Sequence, residues 1–308
     1  MRRGGAITAS CEPTSCELLP LLSSASVEIS SHGHQLGELS EQFAAGTDVT
    51  ITFLPGDNFR SNVETAIALR RAGFSPVPHI AAREIFSRDA LNDFVARLRS
   101  EADVRRVLLI AGDVAAARGP FKSSRDVAAT GLLQARGITR VSIAGHPEGH
   151  PYLDEAATFA SLECWRDWSR ETGVRVDIVT QFCFEAAPIL KFLGELGARD
   201  IDLPVIIGLA GPATPATLTK FALRCGIGNS MRALRSQIGR FGRLLVDTGP
   251  DDSMHGLEAA PRSATSAIAG FHLFPFGGLR KARNWLRDYP TNALALPRAP
   301  SSPLQPNP

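Results

Sequence analysis

Eight short apolar runs rich in valine and isoleucine recur from Ser26 onward, separated by longer amphipathic stretches. The runs are SVEIS (26–30), DVTITFL (48–54), SPVPHI (75–80), RRVLLIAG (105–112), RVSIAG (140–145), RVDIVTQF (175–182), LPVIIGL (203–209) and GFHLFPF (270–276). Between them, NVETAIALRRAG places Val63, Ala66, Ile67 and Ala72 at helical spacing, and DALNDFVARLRS puts Leu91, Phe94, Val95 and Leu98 on one face. Strands that alternate with helices pair in parallel, because each right-handed crossover returns the chain beside the strand it left. Eight such units close a (β/α)8 barrel of the α/β class, whereas an open doubly wound sheet more often holds about five or six strands. A single barrel is therefore expected over residues 22–290, with extra helical patterns (LTKFALRC and SMRALRSQIGRFGRLLV) between strands seven and eight.

The flanks read differently. Residues 1–21 have no continuous apolar core, Pro13 interrupting the run before Leu18, and so read as an N-terminal tail and not as a secretory signal. Residues 291–308 are dense in proline and serine and read as a disordered tail. No apolar run approaches the roughly 20 residues of a membrane span. With 33 basic and 31 acidic residues the net charge is +2, which argues against nucleic acid or an anionic membrane as the main partner. The five cysteines, Cys11, Cys16, Cys164, Cys183 and Cys225, are odd in number and contain no CxxC pair, so neither a disulfide framework nor a zinc site is expected, and a cytoplasmic location is. Cys183 reads as a small wall residue.

In a barrel, reactive groups sit at the carboxyl ends of the strands and in the loops that follow. Those ends carry Glu28, Thr52, His79, Asp113, then His146, Glu148 and His150, and Gln181, one polar group or more from each of the first six strands. Glu28, between Val27 and Ile29, would have a raised pKa if buried unpaired, which suits a general acid; a structural ion pair is the other reading. Gly112 before Asp113 would let a flat ligand approach the backbone. The segment GHPEGHP (145–151) could bring His146, Glu148 and His150 together with Asp113 on one metal ion, but no further cluster completes a shell and no metal is expected. GxGxxG and GxxxxGK[ST] are absent, so any cofactor would be held by the barrel itself.

This set of strand ends resembles the methylenetetrahydrofolate reductase family. The matching pieces are SVEIS with Glu28, VTITF with Thr52, VPHI with His79, LLIAGD with Asp113, GHPEGHP with its two histidines, and DIVTQFCFE with Gln181, spread over residues 26–276. The resemblance implies an FAD-dependent barrel of one-carbon metabolism and methionine biosynthesis. In it, NADH or NADPH reduces the flavin and leaves, and 5,10-methylenetetrahydrofolate then takes the hydride to become 5-methyltetrahydrofolate, a ping-pong exchange. Glu28 would be the general acid that opens the imidazolidine ring, Asp113 would bond the pterin, and Gln181 would serve folate and nicotinamide in turn. Thr52, His79, Gly112, Asp113, Ser124, Asp126, His146 and His150 would line the flavin; Arg170, where the family usually has lysine, would neutralise the diphosphate.

The chain departs from the family pattern at several points. Ala111-Gly112-Asp113 replaces the usual RGD, so one guanidinium near the flavin is missing; Ser123 and Ser124 replace an aromatic and a small residue; His146 replaces tyrosine. Pro215 replaces the aromatic after strand seven, with Leu218 the substitute cover for the folate. Two other functions remain open at this point. One is a metal-dependent lyase or hydrolase using Asp113, His146, Glu148 and His150; the other is a non-catalytic folate-binding relative. The donor, the reaction direction and a homo-oligomeric state are likewise open.

Overall fold

The structure, a computed structural model, describes residues 15–31, 35–54, 56–150, 153–224 and 247–295. On β1 (Ser26–Ser30) exposure alternates: Val27 and Ile29 are buried, and Ser26, Glu28 and Ser30 are half-buried. Side chains two apart share a face of a strand, so the apolar pair packs outward under the helices and the polar set points inward. The other strands, β2 (Asp48–Thr52), β3 (Ser75–Ala81), β4 (Arg106–Ile110), β5 (Arg140–Gly145), β6 (Arg175–Phe182), β7 (Val205–Ala210) and β8 (Ile268–Phe274), are buried over most of their length, as strands covered on both faces are. The eight strands pair in parallel and in chain order as a closed barrel, β8 returning to β1 through Ser26–His272 and Val27–Leu273. The expected (β/α)8 barrel is the fold observed.

The helices are α1 (Ser15–Ser23), α2 (Leu36–Gln42), α3 (Phe59–Arg71), α4 (Arg88–Ala102), α5 (Ser124–Ala128), α6 (Leu132–Ala135), α7 (Glu155–Thr172), α8 (Ala186–Ala198), α9 (Pro215–Arg224), α10 (Asp251–Ala259), α11 (Arg262–Thr265) and α12 (Leu279–Ala295). Side-chain caps start α3, α4 and α7: Asn58 Oδ1 accepts from Ser61 N at 2.8 Å, Ser87 Oγ from Ala90 N at 3.1 Å, and Asp154 Oδ1 from Ala157 N at 2.7 Å. Two boundaries differ from expectation. Helix α1 begins inside the segment read as a tail, because Leu18 and Leu22, one turn apart, are both buried and the helix packs against β8 and α12. At the other end α12 runs to Ala295, past residue 290. Helices α9, α10 and α11 are extra elements between β7 and β8; the SMRALRSQIGRFGRLLV pattern (230–246), like residues 1–14 and 296–308, lies outside the described residues. Among the described residues no helix is long and apolar enough to cross a membrane.

Inside the barrel three layers follow from the inward-facing set. At the amino end Arg106 on β4 donates to Asp177 Oδ1 on β6 (3.0 Å), to Asp48 Oδ2 on β2 (2.7 Å) and to Ser142 Oγ on β5 (3.0 Å). Arg140 adds a 2.5 Å bond to the other oxygen of Asp177. Strands β2, β4 and β6 are not neighbours, so these bonds can only cross the lumen. Above them Val77, Leu108, Val179 and Ile206 form a dry middle layer. The third layer, at the carboxyl end, holds Glu28, His79, Gln181 and Phe274. A bulge shapes it: β6 passes from Val179, opposite Ile206, to Phe182, opposite Gly208, with one residue more than β7. Gly208 makes room for it, because a Cβ there would stand 2.3 Å from the Thr180 carbonyl oxygen and 2.8 Å from the Phe274 ring.

Candidate active site

Glu28 and His79 face each other across the mouth from β1 and β3, with β2 between them, Oε2 to Nε2 being 3.6 Å. Burial pushes the Glu28 carboxyl up to about 8 and lowers His79 to about 4. At neutral pH the proton therefore stays on Glu28 and the imidazole is uncharged. The contact is a neutral one, not an ion pair, and Glu28 is a protonated acid at the mouth, as the general-acid reading requires. His272, on the inner face of β8, is held lower still, to about 3, by burial and then by His79 and Arg106; its Nδ1 lies 2.9 Å from Ser26 Oγ. It was not foreseen, although applying the strand-end test to the last strand would have turned up both His272 and Phe274.

The two buried imidazoles give the protein an acid limit. Their folded pKa values lie below the ordinary value of 6.5, so between about 6.5 and 4 the unfolded chain takes protons that the folded one refuses. Stability is then present above that range and lost as pH falls through it. Glu28 works in the opposite direction over this interval, so the readout is the Glu28→Gln variant: its urea midpoints, followed by circular dichroism, are expected to drop steadily from pH 6.5 to pH 4.5, and flat midpoints there would show the imidazoles to be hydrated.

The remaining rim residues divide. Gln181 stands half-buried at the bulge. Thr52 is half-buried and donates its hydroxyl to Ile29 O at 3.1 Å, keeping its oxygen lone pairs. Gly112 has φ +94°, a conformation open to glycine, and the next residue, Asp113, is exposed with no ion pair among the described residues. The rings of His146 and His150 meet edge to face at 4.6 Å; burial, and then the charge of its neighbour His150, lowers His146 to about 4. Cys183 is 1% exposed, and burial together with Glu148 raises its thiol, which makes it a wall residue and not a nucleophile. Among the described residues no three His, Cys, Asp or Glu side chains are grouped so as to hold a metal ion, so nothing there favours the metal-dependent reading.

Arg170 is not at the mouth, and Asp126 and Leu218 are engaged with their own chain. Arg170 lies in the last turn of α7, which runs from the carboxyl to the amino end of the barrel; there its Nη2 bonds both oxygens of Asp202 at 3.0 Å. It is removed from the site by the length of a helix. Asp126 is exposed and bound to its own loop, Oδ2 accepting from Lys122 N at 2.7 Å and Ser123 N at 2.9 Å in a capping box, while Ser124 simply begins α5. Leu218 is 1% exposed, packed beneath a cluster with Phe182, Phe184, Ala210, Ala213 and Ala222. The apolar surface there is instead aromatic: Phe274 and Phe276 are half-buried, and Phe276 stacks on Phe221 at 4.2 Å.

A cavity of about 490 Å³ opens beside the mouth, on the far side of the strand-five loop, between α7 and α8. It shares His146 and Glu148 with the rim, but its other charged walls are Glu155, Glu185, Glu195 and Lys191, and Lys191 is already 3.5 Å from Glu155. Such walls repel polyphosphates, so the cavity is no place for a diphosphate.

No family model matches the chain. A 5,10-methylenetetrahydrofolate reductase from Pectobacterium carotovorum subsp. carotovorum is 26% identical over 190 residues, which cover 61% of this chain and 60% of the relative. The match thus spans under two thirds of that enzyme. Among solved structures, an uncharacterised protein from Clostridium thermocellum, described as binding two copies of 5-methyl-5,6,7,8-tetrahydrofolic acid, superposes with a TM-score of 0.55 at 10% identity, over 89% of this chain and 98% of the other. At that identity it speaks for the fold alone. The chain thus has the fold of a closed (β/α)8 barrel and is similar over 61% of its length to a 5,10-methylenetetrahydrofolate reductase.

Proposed function

We propose that the protein is an oxidoreductase that interconverts 5,10-methylenetetrahydrofolate and 5-methyltetrahydrofolate, with FAD as cofactor and NADH or NADPH as partner. The observation that carries this reading is Glu28: a carboxyl held protonated at neutral pH by burial, beside an uncharged histidine, at the mouth of a barrel that resembles the reductases. The relative's name supports the substrate class.

The mouth suits a flat, partly polar cofactor. Gly112 leaves the backbone after β4 uncovered, Thr52 and His79 offer polar edges, and the Phe274 and Phe276 rings give an apolar wall. FAD, when bound, would supply the hydride relay between nicotinamide and folate. The protein does the rest. Glu28 Oε gives its proton to a ring nitrogen of the folate imidazolidine, so that the five-membered ring opens to an iminium ready for hydride; in the reverse direction the same oxygen takes the proton back. Asp113, an exposed carboxyl group just past β4, would bond the pterin and stand near the cationic iminium. Gln181 holds the ligand through its amide, and the dry layer below keeps water from the reacting carbon.

The purified protein is expected to show, or to acquire on titration, the visible absorption of a flavoprotein, to be bleached by NADH or NADPH, and to regain colour on adding methylenetetrahydrofolate under anaerobic conditions. A protein that stays colourless when titrated with FAD refutes the assignment. Folate binding without flavin binding would favour the non-catalytic relative.

A further inference from the structure

The rim carries a cation that the strand-end pattern did not single out. Arg83 lies in the 3-10 turn Ala82–Glu84 that directly follows β3, so its side chain leaves from the carboxyl end of the barrel. Its Nε donates to Lys122 O at 2.9 Å and its Nη1 to Val114 O at 3.4 Å. Its backbone N donates to Ala111 O at 2.9 Å, and its carbonyl accepts from Arg118 N at 2.8 Å. These four bonds wrap the loop after β4 around it, and the Arg83 Cβ lies 3.9 Å from where a side chain on Gly112 would begin. Its charge also lowers the His150 pKa, after burial.

Arg106, Arg118, Arg140 and Arg170 all have a carboxylate within ion-pair distance; Arg83 has none among the described residues. Two backbone carbonyls fix its orientation without cancelling its charge, and Nη2 keeps its donors. A guanidinium held in this way is a preformed fork for phosphate oxygens. The other side of the strand-five loop, with its four glutamates, repels such a group.

We infer that Arg83, between the loops that follow β4 and β5, is the anchor for the diphosphate of a bound dinucleotide. It takes over the task expected of Arg170, and its guanidinium sits on the Lys122 and Val114 carbonyls of the loop after β4, the loop in which the RGD arginine is missing. The inference rests on the proposed function for its ligand. FAD and NAD(P)H share the diphosphate, and the flavin is the source the observations favour, since Arg83 abuts the open backbone at Gly112.

The test is a set of titrations of the full chain freed of flavin: FAD and riboflavin by flavin fluorescence, NADH by its own fluorescence, and inorganic pyrophosphate by calorimetry. Arg83→Gln is expected to weaken FAD and pyrophosphate binding by about 10- to 100-fold, as for loss of a charge-assisted contact, with riboflavin affinity unchanged. Arg83→Lys, which keeps the charge, should retain part of the affinity, and FAD binding should lose its salt dependence in Arg83→Gln only. A loss confined to NADH and pyrophosphate upholds the anchor and makes the nicotinamide dinucleotide its ligand. Unchanged FAD, NADH and pyrophosphate affinities overturn the inference, as does an equal loss for riboflavin, which would mean that the loop had collapsed. Pyrophosphate binding that depends on Arg83 in a protein that takes no flavin would leave the anion site standing and defeat the proposed function instead.

Discussion

Glu28→Gln is expected to slow folate turnover by about 10²- to 10⁴-fold, the usual contribution of a positioned general acid, while flavin reduction by NADH or NADPH proceeds at nearly the native rate. Glutamine keeps the shape and a hydrogen-bond donor but has no proton to give. No neighbour can replace it: His79, 3.6 Å away, is uncharged at neutral pH. The pH profile follows from the same burial. With the carboxyl at about 8, the folate half-reaction should be level below that pH and fall above it as the acid is lost. Stability gives an independent readout. The folded carboxyl binds its proton more tightly than the unfolded one at 4.5, so native stability is fully present below 4.5 and is lost as pH rises toward about 8. Glu28→Gln does not titrate there and should gain on the native protein in thermal melts between pH 5 and 8. Stopped-flow traces showing equal losses in both half-reactions would make Glu28 structural, and melts that run parallel across pH would deny its raised pKa.

Asp177→Ala is expected to destabilise the barrel by about 3–5 kcal/mol, the range for breaking a buried pair by removing one partner. Asp177 is 1% exposed and receives Arg106, Arg140 and Ser142 at 3.0, 2.5 and 2.7 Å. Without it Arg140, a third exposed, loses its carboxylate, and Arg106, largely buried in the lumen, is left with Asp48 and Ser142. For a chain of this size the melting temperature should fall by on the order of ten degrees. Arg170→Ala is the control, since that guanidinium and its partner Asp202 are more than half exposed and such pairs contribute about 0–1 kcal/mol. Calorimetric scans that give the two variants similar melting temperatures would refute the claim that the lumen network holds the amino end closed. Flavin and folate affinities of Asp177→Ala, measured below its melting point, should stay near native because the network lies at the end of the barrel away from the mouth.

Much of the mouth was legible residue by residue. Glu28 stood between two apolar neighbours in a five-residue strand, so its place on the face opposite to them followed from period-two alternation alone. His79, Asp113, His146 and Gln181 were found by asking which residues end a strand. Arg170 was misplaced although the means to place it were present, since a helix that leads back to the next strand must bring its last turn to the amino end. Leu218 was misplaced for another reason. A leucine on a helix that follows a strand can face a ligand or the core, and only the cluster around Phe182 decides which.

What the sequence determined by itself was local and periodic: which stretches are strands or helices, in what order, and hence a barrel of eight parallel strands with its chemistry at one end. Hydrophobic period and cap chemistry act within a few residues and need no knowledge of distant partners. What only the tertiary structure decided was who meets whom across the closed lumen. Glu28 and His79 face each other over 51 positions of sequence, Arg106 joins Asp48 to Asp177, and Arg83 stands beside Gly112, because barrel closure, strand register and the extra residue in β6 set those distances. The protonated state of Glu28 belongs to the same level. A carboxyl changes its pKa through the water removed around it, and that removal exists only once all eight strands have closed.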